Sequence, residues 1–157
     1  MARQERIVRG STRNIPLVRH HRWCTSASDI TVEAATINGQ PSPFSTTISG
    51  HDANIRIGDP DRELRPGVYS FGLTYKLDRQ IGFFDDFDEI YWNVIGTGFE
   101  FTTEKASAVV TLPGTAPVRH IAAYTGALGD TSQHGATFSK GADGKVTFDT
   151  TRALNPG

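Results

Sequence analysis

The chain has a single cysteine, Cys24, so no internal disulfide can form. Its place beside Trp23 in an apolar stretch reads as a small buried hydrophobe rather than a reactive thiol. Long apolar runs are also missing. None approaches the roughly 18–20 residues of a membrane span, and residues 1–6 (MARQER) lack the apolar stretch of a secretory signal. Neither sign of charge is in excess: 16 Lys and Arg stand against 17 Asp and Glu, a formal charge of -1. A domain whose whole surface attracts nucleic acid is therefore excluded. No internal repeat of fixed period is present.

Catalytic motifs are missing as well. No G-x-S-x-G elbow is present for a nucleophilic serine. Neither G-x-G-x-x-G nor G-x-x-x-x-G-K opens a helix. The five histidines, His20, His21, His51, His120 and His134, fall in no zinc-ligand spacing.

What is there reads as strand. A chain of 157 residues is long enough for one hydrophobic core without staples. Residues 1–22 form a basic N-terminal segment, with Arg3, Arg6, Arg9, Arg13, Arg19, Arg22, His20 and His21 opposed only by Glu5; it has room for a first strand and is read as solvated. From Asp29 to Asn38, Ile30, Val32 and Ala34 alternate with polar residues, the period-2 sign of a half-buried strand, and Asn38-Gly39 turns the chain. Phe44–Ser49 and the stretch through Ala53, Ile55 and Ile57 make a hairpin around Gly50-His51-Asp52. The clearest strand holds Tyr69, Phe71, Leu73, Tyr75 and Leu77 on one face, too regular for a helix, and is expected in mid-sheet.

Glu89–Ile95 carries bulk on both faces, which predicts a central strand with Trp92 buried. Further strands are expected at 106–112 and 118–124, with a hairpin joining 136–139 to 145–149 across Ala142-Asp143-Gly144. Only 103–107 and 61–64 have room for a helical turn. These elements predict an all-β fold, an antiparallel β-sandwich of about eight short strands, immunoglobulin-like in general architecture. Residues 23–157 are read as a single domain.

The densest chemistry is Asp85, Asp86, Asp88 and Glu89 among Phe83, Phe84, Phe87, Tyr91 and Trp92. Carboxylates clustered on a loop supply the hard oxygen ligands that calcium prefers, and the aromatics Phe83, Phe84, Phe87 and Tyr91 supply a stacking surface for a sugar or peptide. No D-x-[DN]-x-[DN]-G loop is present. An acidic turn tied to Arg79 or another arginine accounts for the same letters and is preferred over a calcium site or a ligand groove. No catalytic residue is assigned, and no cofactor is expected unless the carboxylates hold calcium.

The run from Tyr75 to Val94, YKLDRQIGFFDDFDEIYWNV, closely resembles the signature of a predicted bacterial membrane protein family, domain of unknown function 2207. Arg9–Pro16 is similar to that family's arginine-glycine to arginine-x-x-proline segment. Ile55–Asp59 is similar to its short strand before a loop, and Ala106–Pro113 to the strand after the signature. The likeness reaches most of the chain from about Arg9 onward. It implies a β-rich extracytoplasmic or cell-surface domain, soluble by itself, of a parent anchored by transmembrane helices toward its C-terminus. Set against the family pattern, the chain is expected to be an excised part, truncated at both ends.

The resulting functional expectation is a non-enzymatic binding or interaction module whose partner is an envelope glycan or another envelope protein, with no nucleic acid. The alternatives are an envelope-glycan hydrolase using paired carboxylates such as Asp86 and Glu89, which need a separation of about 5–10 Å across a cleft, and a purely structural spacer.

Overall fold

The period-2 patterns do become strands. The computed structural model describes residues 9–20, 25–96, 101–113, 117–126, 129–131 and 133–156, with 19, 20, 25 and 26 described in backbone only. Cys24, Trp23 and residues 1–8 and 21–22 of the basic segment lie outside them. Among the described residues there is no helix, and thirteen strands pair antiparallel throughout. The chain divides into two compact units, Met1–Tyr91 and Trp92–Gly157.

In the first unit, β1 (Ser11–Pro16), β6 (Phe44–Ser49) and β7 (Asp52–Ile57) form a sheet in the order β1-β7-β6. Its core face is Ile15, Ala53, Ile55 and Ile57, all buried. They share one face because Ile15 pairs with Ala53 and residues two apart on β7 point the same way. The β6–β7 turn is the two residues between the Ser49–Asp52 pair, with Gly50 at φ 60. Glycine in the first turn position suits a type II′ hairpin.

At the other end of this ladder Gly10 and Gly58 pass so closely that a Cβ on Gly10 would lie 1.8 Å from the Ile57 carbonyl oxygen. Both glycines have φ near +125°, at 129 and 123, where side chains are strongly disfavoured. The chain therefore closes the β1–β7 ladder without side chains at that point.

A second sheet orders β5 (Gln40–Pro41), β4 (Ile30–Ile37) and β8 (Phe71–Leu77) as β5-β4-β8, and β4 and β7 are in contact. Asn38 and Gly39 both take positive φ, 52 and 78, the type I′ geometry that Asn-Gly favours. Two expectations are corrected. First, β4 and not β8 is the middle strand, among the described residues. Second, Ala34 is exposed while Ala35 is buried, because the register shifts between Val32 and Ala34. That bulge at Glu33 inserts one residue and turns the following side chains over to the other face.

β2 (Val18–His20) pairs with β3 (Thr25–Ala27), and β9 (Ile81–Phe83) with β10 (Asp88–Ile90). The long strand expected over 89–95 is thus corrected: it ends at Ile90. Ile90 pairs with Ile81, the first residue of β9, and Gln80 before it is held elsewhere, donating from Nε2 to Ser28 Oγ at 2.6 Å and to the Asp78 carbonyl at 2.8 Å. Among the described residues the β9–β10 ladder goes no further than this pair. Trp92 consequently lies outside any strand and is 36% exposed, not buried.

The second unit contains β11 (Ser107–Val110), β12 (Ala136–Lys140) and β13 (Val146–Thr150) in the order β11-β13-β12. The β12–β13 hairpin turns through Ala142-Asp143-Gly144: the Gly141 N–H donates to the Lys145 carbonyl at 2.9 Å, and Gly144 takes φ 79. A three-residue loop ending in a left-handed glycine is a common hairpin closure. Val146 is buried, and Phe138 and Phe148 pair across the strands with centroids 6.2 Å apart. Thr103 forms an isolated bridge with Leu154 rather than starting a helical turn. The expected strand over 118–124 is absent among the described residues.

Candidate functional site

The acidic and aromatic cluster is a hairpin. Phe83 pairs with Asp88, Gly82 with Glu89 and Ile81 with Ile90. The tip is Phe84-Asp85-Asp86-Phe87, closed by the Phe84 N–H donating to the Phe87 carbonyl at 3.0 Å. The rings of Phe84 and Phe87 stack with centroids 4.8 Å apart and an interplanar angle of 26°, within the separation that aromatic pairs favour. Phe83 is 76% exposed, and Phe84, Phe87 and Tyr91 are exposed too.

Alternation along β10 sends Asp88 and Glu89 to opposite faces, while Asp85 and Asp86 sit at the tip. The carboxylates are brought into one short hairpin but not around one point. Among the described residues no three His, Cys, Asp or Glu side chains gather as a metal-holding group.

Arg79, one of the arginines expected to tie this turn, is instead bound to Asp78 and Asp29. Its Nε donates to Asp78 at 3.1 Å and its Nη2 to Asp29 at 3.0 Å. Arg79 itself takes φ 51, a conformation unusual for arginine. Around it the Asp29 N–H donates to Asp78 Oδ1 at 2.7 Å, and the Asp78 N–H to the Asp29 carbonyl at 3.3 Å. The Asp29 amide, and then the Arg79 guanidinium, hold the Asp78 carboxyl below its ordinary value. This polar knot ties the start of β4 to the end of β8 directly before the aromatic hairpin. Sequence reasoning missed it; the only local signal was the Asp78-Arg79 doublet breaking the alternation of β8.

With the acidic tip untied from Arg79, the hairpin offers an apolar aromatic surface flanked by hydrogen-bond acceptors. A family model described as the predicted membrane protein (DUF2207) N-terminal domain matches residues 3–157. The chain belongs to this family. No curated protein and no solved structure gives a match. Among the described residues of this DUF2207 N-terminal domain, no helix is long and apolar enough to cross a membrane. The resemblance carried by Tyr75–Val94 is thus a family membership, and the β9–β10 hairpin is an exposed part of that signature.

Proposed function

We propose that the domain is a non-enzymatic interaction module displayed outside the cytoplasmic membrane, tethered through the rest of its membrane protein, with the β9–β10 hairpin as its contact surface. The observation that carries this reading is the exposure of Phe83, Phe84 and Phe87 on one short hairpin and of Tyr91 directly after it. Single exposed apolar residues are ordinary, but a contiguous group of large rings marks a contact site. Aromatic faces stack on the apolar faces of sugar rings, and the flanking carboxylates of Asp85, Asp86, Asp88 and Glu89 accept hydrogen bonds from hydroxyls. An envelope glycan is therefore the partner of choice.

The test is thermal unfolding with soluble peptidoglycan fragments. A ligand of the folded state raises stability by mass action, about 2.7 kcal/mol at a hundredfold excess over Kd. Fragments should raise the Tm of the parent and leave that of a Phe83→Ser/Phe87→Ser variant unmoved, with the fragments recovered intact. Cleaved fragments would turn the reading to the hydrolase; a parent Tm indifferent to every fragment would turn it to the spacer.

A further inference from the structure

Strand β6 is an exposed sheet edge in a different part of the chain from the aromatic hairpin. Among the described residues it is the outer strand of the β1-β7-β6 sheet, and every one of its residues, Phe44, Ser45, Thr46, Thr47, Ile48 and Ser49, is exposed. Natural edge strands are normally blunted by charge, proline or brevity. Here β1 carries Arg13 and Pro16, β8 carries Lys76 and β12 carries Lys140, while β11 is charge-free but only four residues long. β6 has six residues and neither charge nor proline.

The ladder fixes which groups point outward. The Gly58 N–H donates to the Pro43 carbonyl at 2.9 Å, and the Ser49–Asp52 pair closes a two-residue turn. Hydrogen-bonded pairs alternate along an antiparallel ladder, so Ser45, Thr47 and Ser49 bond inward to β7. Phe44, Thr46 and Ile48 therefore aim N–H and C=O away from the sheet. Their side chains lie on the face of Ile57, Ile55 and Ala53, with which they pair, and so continue the core face out to the edge. The outward backbone groups and an apolar flank coincide on the same three residues.

We propose that β6 pairs with β6 of a second copy of this chain, antiparallel about a twofold axis at Thr46. A foreign strand would need its own complement, but this edge is its own. With the axis at Thr46, each outward residue meets an outward residue: Thr46 faces Thr46, and Phe44 faces Ile48 on both sides of it. Aromatic and β-branched residues are favourable cross-strand partners. The absence of charge from Phe44 to Ser49 means that twofold pairing sets no like charges opposite each other. The two core faces then join into one continuous six-stranded face, as β-augmentation does.

Sedimentation velocity of the full chain over a range of concentrations tests this. The parent should pass from monomer to dimer as concentration rises. Thr46→Pro removes an outward N–H without touching the β6–β7 ladder, and Thr46→Lys sets two ammonium groups face to face. Both should remain monomeric where the parent is dimeric, with unchanged far-ultraviolet circular dichroism. Thr46→Glu should also be monomeric alone, yet an equimolar mixture with Thr46→Lys should regain the dimer. A parent that stays monomeric at all concentrations overturns the proposal and leaves the edge to another protein's strand. Dimers that survive both Thr46→Pro and Thr46→Lys place the interface elsewhere, and a mixture that fails to dimerise overturns the Thr46 register.

Discussion

Replacing Ile55 by Ala tests where the first unit keeps its stability. Ile55 is 0% exposed at the centre of β7, between β1 and β6, with buried Ala53 and Ile57 two residues away on the same face. The substitution removes three carbon groups, each worth about 0.8 kcal/mol of transfer, or roughly 2.4 kcal/mol before any cavity forms. Hemmed in by two strands, the site has little room to collapse, and comparable truncations span about 2–5 kcal/mol. The expected loss is about 3 kcal/mol, a fall in Tm of roughly 12–24 °C for a unit of this size.

Ile55→Val should lose about 1 kcal/mol, within the usual range for one methyl group. Val68 is 98% exposed, so Val68→Ala should stay within about 0.5 kcal/mol of the parent. The assay is urea unfolding followed by circular dichroism at dilute protein, with m-values compared to show that the same surface is exposed. An Ile55→Ala variant within about 0.5 kcal/mol of the parent would refute the assignment of the core to this sheet.

Gly10→Ala forces a side chain onto positive φ and against the Ile57 carbonyl, so a loss of about 1–3 kcal/mol or more is expected by the same unfolding assay. Asp78→Asn bears on acid sensitivity. Because the Asp78 carboxyl is held below its ordinary value by the Asp29 amide and Arg79, its contribution is present above the unfolded carboxylate pKa and lost as pH falls through the folded one. The variant should therefore melt lower than the parent at neutral pH, and the two Tm values should converge in acid; a gap that persists at low pH would count against the knot. Trp92→Ala should lose only about 1–2 kcal/mol, below the 3–5 of a buried aromatic, since Trp92 is partly exposed.

The sequence by itself determined the class of fold and several of its elements. Alternation is a local property, and so is turn chemistry. The hairpins around Gly50-His51 and Ala142-Asp143-Gly144, the turn at Asn38-Gly39 and the strands 30–37 and 71–77 were legible because their signals lie within a few residues. The tertiary structure decided what depends on a partner. The bulge at Glu33 is a mismatch between two strands, and no pattern in β4 alone reveals it. Glu89–Ile95 has strand letters, but the ladder takes in only Glu89 and Ile90 of it, because the pairing of β10 with β9 stops at Ile90↔Ile81. Arg79 was read as one candidate counter-ion of the acidic loop because it is near in sequence; Asp29, fifty positions away, holds it together with Asp78. Likewise the letters of the aromatic cluster were plain, while the exposure of Phe83, Phe84 and Phe87 on a hairpin is a matter of what covers them, which no local pattern encodes.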